Sequence, residues 1–185
     1  KHSNFKGSGQ IKKVDTDIYG WYSSDRDMGL RFENLNLTWD DIRIQSTSMG
    51  ASKKTHEEKI LLSLDKIDLT LLSDISQKID LIPKNITDLV SKIKPSGMLH
   101  NLNLEFTEQD IDHDFRLTAD IEDVSTHSWD GKPGFRKING YIDIKNTSGL
   151  IELDSPNGFG FQLPNIFDEY VYRSSIKGNI SWRYN

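Results

Sequence analysis

The chain has 185 residues, 23 Lys plus Arg against 28 Asp plus Glu, a formal net charge of -5 and no cysteine. At ~100–200 residues per domain this is one domain, 1–185; the missing cysteine excludes disulfides, thiolate zinc sites and cysteine nucleophiles, and the acidic balance argues against sequence-independent binding to nucleic acid or anionic membrane. The apolar fraction is 35%, and counting the 13 Gly in place of the 6 Tyr gives about 39%, short of the ~45–50% usual on that basis, which suits a sheet with one apolar and one wet face better than a compact globule.

The opening stretch, Lys1–Gln10, is polar, contains Gly and Ser, and starts without Met. The expectation is a fragment of a longer protein whose signal or anchor lies outside it. From there the dominant rhythm over 1–70 is apolar–polar alternation, the period-2 signature of strands. Leu30 and Phe32, then Leu35, Leu37 and Trp39, alternate with polar residues, and the change of phase at Asn34 calls for a β-bulge. Ile60, Leu62 and Leu64 alternate, and Ile67 with Leu69 resumes after another slip.

Over 71–94 the spacing changes. Leu72, Ile75, Ile79 and Ile82, then Ile86, Leu89, Val90 and Ile93, recur every three or four residues, which predicts two short amphipathic helices split by Pro83. Pro95 forces Lys94 out of helical geometry, and Gly97 completes the exit. Helices this short need a sheet to lie on. Over 95–185 alternation returns as an antiparallel meander. Met98, His100, Leu102, Leu104 and Phe106 form one row. Ile111, His113, Phe115, Leu117, Ala119 and Ile121 form the next, across a turn at Glu108–Asp110. Tyr141–Ile144 and Leu150–Leu153 flank a hairpin turn, and Ile176, Gly178, Ile180, Trp182 and Tyr184 close the chain. The fold class is mostly β with a helical insertion (α+β). No repeat of solenoid period stands out.

No catalytic constellation has the required spacing. There is no nucleophile elbow, Walker loop, H-E-x-x-H or dinucleotide fingerprint. Asp110, Asp112, His113 and Asp114 are the densest acidic cluster, but alternation places them on a solvated strand face and hairpin end, without the converging oxygens a calcium loop needs. His100 and His113 fall in the apolar phase of neighbouring strands, where a lone His is ordinarily a hydrogen-bonded structural residue. Trp21, Trp39, Trp129 and Trp182 invite a sugar-stacking reading, yet Trp at strand ends is ordinary packing. The polar side of the helical segment mixes Asp74, Asp80 and Asp88 with Lys78, Lys84 and Lys92, so it gains little from anionic lipid. The expectation is a protein that is not an enzyme and has no metal and no cofactor.

From Pro95 onward the order of motifs is more specific than any one of them. Pro95 and Gly97 open a strand, a strand pair leads to Trp129, and Pro133-Gly134 turns into a strand with Gly140 at its centre. A Gly149–Ser155 strand and a closing strand with Gly178 and Trp182 follow. This order resembles the C-terminal region of the YhdP family, AsmA-like proteins related in architecture to TamB; "LRFENLNLTW" and the helical segment fit the same layout. The resemblance implies a curved antiparallel sheet forming a groove, β-taco-like, with the two helices packed on it. It implies a periplasmic location, with the parent protein anchored in the inner membrane through segments outside this fragment. It further implies a segment of a bridge that carries phospholipid between inner and outer membrane. The partners would be phospholipid acyl chains, with no nucleic acid and protein partners unspecified. The candidates for the groove floor are Leu102, Leu104, Phe106, Phe115, Leu117, Ala119, Ile121, Ile142 and Ile144. The alternative is that the same residues close a core, in an extracytoplasmic β-sandwich that binds carbohydrate or a protein partner.

Overall fold

The structure is a computed structural model that describes residues 10–23, 27–54, 58–71, 84–107 and 114–184. Four long strands come first: β1 (Ile11–Tyr22), β2 (Met28–Trp39), β3 (Ile42–Lys54) and β4 (Lys59–Asp68). A helix, α1 (Lys84–Ile93), precedes β5 (Ser96–Thr107), β6 (Phe115–Thr126), β7 (Gly134–Lys145) and β8 (Ser148–Ser155). The chain closes with β9 (Phe159–Gln162), β10 (Val171–Arg173) and β11 (Ile176–Arg183). All eleven strands belong to one antiparallel sheet in the order β1-β2-β3-β4-β5-β6-β7-β8-β11. The sheet is open and curled. Beside β7 the sheet forks: β8 pairs with Gly140–Ile144 while β9, carrying β10, pairs with Gly134–Arg136. Gly140 stands at the fork, where a Cβ would come within 1.8 Å of the Glu152 carbonyl oxygen.

A line of left-handed residues bends the sheet. Asn34 in β2 (φ 54°), Asn101 in β5 (φ 51°), Asp123 in β6 (φ 50°) and Lys137 in β7 (φ 54°) all lie in the region that Asn and Asp tolerate best. The register slips beside Asn34, Asn101 and Asp123, and again beside Lys137, as bulges that increase twist require. Two of these bulges share the sequence Asn-Leu-Asn-Leu, at 34–37 and at 101–104, and they share its bonding. The first Asn donates to a neighbouring strand's carboxylate, Asn34 to Asp17 at 3.2 Å and Asn101 to Asp120 at 2.7 Å. The second donates back to the carbonyl of the first, Asn36 at 3.1 Å and Asn103 at 2.9 Å. At the same level Asp65 in β4 accepts from the Ser46 hydroxyl and from the Thr47 N–H at 2.9 Å. Burial alone would raise the Asp65 carboxyl, but hydrogen bonds from Ser46, Thr47 and Ser48 prevail and hold it at about 2.

The core is small. Leu69, Ile121 and Val124 are buried together, with Leu99, Ile138 and Ile142 partly buried against them. Leu35, Trp39 and Ile42 are buried where β2 turns into β3. The chain exposes 12521 Å² in all, whereas a compact globule of 21.2 kDa exposes roughly 9,100 Å². Low apolar content therefore goes with an open shape.

Two expectations are corrected. The bulge at Asn101 reverses the phase of β5, so Leu99 pairs with Ile121 while His100 pairs with Asp120; His100 leaves the apolar row and contacts Glu122 at 2.6 Å. The expectation of two amphipathic helices packed on the sheet is also not supported among the described residues. The first falls on residues outside those described. The second, α1, is attached through its last turn: the His127 N–H donates to the Ile93 carbonyl at 2.7 Å, and the Lys92 ammonium sits 4.8 Å from the Trp129 ring centre. Val90 and Ile93 are only half-buried. Its exit is as expected, with Lys94 left-handed at φ 42° before Pro95. No helix of the described residues is long and apolar enough to cross a membrane.

Candidate functional site

The strand registers join apolar residues from separate strands into continuous rows on one face. The first row starts at Ile18, which pairs with Phe32, and runs through Met49, Leu64 and Leu102. Beyond the Asn101 bulge it continues through Ala119, Ile142, Ile151 and Ile180. The second row pairs Gly20 with Leu30 and runs through Ala51, Leu62, Leu104, Leu117, Ile144 and Gly149 to Trp182. Nine strands at ~4.8 Å spacing make each row about 38 Å long, measured along the sheet. Period-2 alternation alone places apolar residues on one side of each strand; register and bulges bring the sides together.

All nine candidate floor residues lie in these rows or directly beside them. Leu104 pairs with Leu117, which pairs with Ile144, and Phe106 pairs with Phe115. Leu102, Leu104, Phe106, Phe115, Leu117, Ile142 and Ile144 are half-buried. Ala119, 1% exposed, and Ile121, 6% exposed, belong to the buried interior. The reading from sequence missed the half of the face that is most open. Ile18, Tyr22, Met28, Leu30 and Leu62 are exposed large apolar residues on β1, β2 and β4, and Ile180 lies exposed at the opposite edge. A cleft of about 650 Å³, almost wholly apolar, opens among Tyr22, Met28, Leu30, Ala51, Lys53 and Ile60. The signal was the alternation of Leu30 with Phe32 and of Ile60 with Leu62, which marks a strand face without saying which strands adjoin it.

The reverse face is polar and internally paired. Arg116 grips Asp143 with two bonds of 2.9 and 2.8 Å; the hydrogen bond and charge raise the guanidinium and lower the carboxyl, each from its ordinary value. Lys59 meets Glu105 at 2.7 Å. Such partly exposed pairs contribute little stability, but they fill the outer face with groups that prefer water. The sheet is thus amphipathic as a whole: one side dissolves in water and the other does not.

The remaining constellations do not converge. Asp110, Asp112 and His113 lie outside the described residues, and Asp114 accepts a 2.5 Å bond from the Thr107 hydroxyl. Among the described residues no group of three or more His, Asp and Glu side chains is placed to hold a metal ion. The four Trp side chains are dispersed. Trp21 covers Gly29 and Trp182 covers Gly149, each ring filling the space that a side chain would take. Trp39 is buried, and Trp129 lies between Lys92 and Lys132 in its turn. They form no common platform, and the described strands make one sheet rather than the two facing sheets of a sandwich.

The family model described as YhdP protein matches residues 9–185, nearly the whole chain. No curated protein and no solved structure matches it.

Proposed function

The chain belongs to the YhdP family of AsmA-like envelope proteins, and from that premise we propose that it is a non-enzymatic segment of a phospholipid carrier. Acyl chains ride on the apolar face, in the periplasm, between an inner-membrane anchor and the outer membrane. The observation that carries this reading is the pair of apolar rows crossing nine strands without a charged residue. The task needs no reacting group. It needs a strip on which each CH₂ removed from water gains ~0.8 kcal/mol, backed by an outer face that stays wet. At roughly 38 Å the rows exceed two acyl chains end to end, given that a ~30 Å hydrocarbon core holds two. The floor is the half-buried group Leu102, Leu104, Phe106, Phe115, Leu117, Ile142 and Ile144, extended by Met28, Leu30 and Leu62 on one side and Ile151 and Ile180 on the other; Ala119 and Ile121 lie buried on the same face.

The test is lipid extraction and native mass spectrometry of the protein purified from an envelope fraction. The expected result is bound phospholipid that exchanges with added, isotope-labelled lipid. Protein that carries no lipid and accepts none would overturn the proposal.

A further inference from the structure

A third row lies above the two apolar ones, at the end of the strands where the cleft opens. Tyr22 pairs with Met28, Met28 with Lys53, Lys53 with Ile60, Ile60 with Phe106, and Phe106 with Phe115. Lys53 is the one charged side chain in the three rows, in a protein that is 28% Asp, Glu, Lys and Arg. Its neighbour Lys54 points to the other face and is exposed, while Lys53 is half-buried. Lys53 also lines the 650 Å³ cleft, whose walls include Trp21, Tyr22, Met28, Leu30 and Ile60. A lysine on an apolar face lays its methylene stem along that surface and carries its ammonium to the rim.

Resting on the lipid-carrier reading, we infer that this cleft seats the polar end of the lipid, with the Lys53 ammonium against an anionic phosphate. The shape and the charge ask for one amphiphile. An apolar cleft that includes Gly20, Leu30 and Ala51 of the second row takes the first carbons of an acyl tail, and a single cation at its rim takes a single negative charge. A free anion would leave the cleft wetted, and an uncharged lipid would offer the ammonium no charge to meet. Lys53 has a contact of its own in the empty chain, so the phosphate competes for the ammonium rather than meeting a bare one. Competition suits a carrier, because the head is held at one place without being held for long. The seat lies toward the β1 end of the sheet, so the tail runs from β2–β4 toward β5–β7 over the floor described above.

Native mass spectrometry of the chain with dioleoyl phosphatidylglycerol, dioleoylglycerol and inorganic phosphate tests the seat. Lys53→Gln should weaken phosphatidylglycerol about tenfold, the size of one charge-assisted hydrogen bond at a half-open site. Dioleoylglycerol, with the same tails and no phosphate, should bind the variant and the parent alike. Lys53→Arg and Lys54→Gln should behave as the parent. Lys53→Met, which keeps the stem between Met28 and Ile60, repeats the test if Lys53→Gln melts early. Equal phosphatidylglycerol binding by parent, Lys53→Gln and Lys53→Met would overturn the seat and leave the carrier reading standing. Inorganic phosphate that binds and displaces the lipid head would overturn it in favour of a free-anion site. A parent chain that binds neither lipid would remove the carrier reading and the seat together.

Discussion

A charge placed at Leu117 separates an open face from a closed core. Leu117 lies between Leu104 and Ile144 and is half-buried; Ile121, four residues along the same strand, is 6% exposed and belongs to the core with Leu69 and Val124. Full burial of a Leu gains ~1.5–3 kcal/mol, so losing the half-buried share at Leu117 costs about 0.8–1.5 kcal/mol. A Glu at that position can lean over the open face into water, which avoids the penalty of a buried charge. At ~2–4 °C per kcal/mol for a chain of this length, Leu117→Glu should melt roughly 2–6 °C below the parent and stay folded. Ile121→Glu loses ~2–5 kcal/mol as cavity and transfer cost and also buries a carboxylate without a partner. That loss is comparable to the ~5–15 kcal/mol that holds a domain together, so the variant should not fold. The assays are far-UV circular dichroism melting and lipid loading by native mass spectrometry. Leu117→Glu should be folded and poorly loaded. If it unfolds as Ile121→Glu does, the face is a closed core; if it folds and loads like the parent, lipid does not touch Leu117.

Three further outcomes follow from the backbone and from Asp65. Gly140→Ala should destabilise by roughly 2 kcal/mol or more, since strain at its φ of 151° adds to a clash with the Glu152 carbonyl. Gly178→Ala, with nothing within 4 Å of the new carbon, should stay within about 0.5 kcal/mol of the parent by urea titration. Asn101→Gly should be milder than Asn101→Val, because a β-branched residue at φ 51° costs about 1–3 kcal/mol; a urea midpoint that falls equally for both would deny that backbone strain governs the bulge. The Asp65 carboxyl is lowered from 3.8 to about 2, so its contribution is complete above about pH 4 and is lost as pH falls toward 2. After allowance for solvent screening that contribution is about 1 kcal/mol, and Asp65→Asn should flatten the acid limb of the melting curve by that much.

The two Asn-Leu-Asn-Leu bulges show what a single sequence can and cannot disclose. At Asn34 the slip was legible because apolar residues on both sides, Leu30 and Phe32 before it and Leu35 and Leu37 after it, change from even to odd positions. At Asn101 the same four residues gave no such signal. Met98 continues the even phase of Leu102 and Leu104, so the row read as unbroken and His100 was placed inside. Only pairing with β6 shows that Leu99 faces in and His100 out. In β1 two register slips, after Ile11 and after Asp15, scatter Ile11, Val14 and Ile18 over spacings of three and four, which hides a strand. The shorter β9 and β10 depend on β7 for their existence, and no local pattern announces them. That the apolar residues of β5–β7 share a strand face was legible from alternation, whereas the place of Lys53 was not: a lysine becomes informative only when register places it between Met28 and Ile60.

Openness also sets how tightly such a face can hold its cargo. An acyl chain with fourteen buried methylenes would gain about 11 kcal/mol if wholly enclosed, at ~0.8 kcal/mol each. On a face that touches one side of the chain, about half of that is realised, near 5–6 kcal/mol. Losing translational and rotational freedom costs ~4 kcal/mol or more, so the apolar face alone binds weakly and releases fast. On the proposed reading, a cation at the rim would add the increment that fixes where the lipid sits without closing the groove over it. The shortage of apolar residues follows from the same design. A chain that enclosed its face would need a second apolar layer, and an enclosed acyl chain would leave too slowly to be carried. A single curled sheet with a minimal core at Leu69, Ile121 and Val124 keeps the face open, and its bulges supply the curvature that a second layer would otherwise impose.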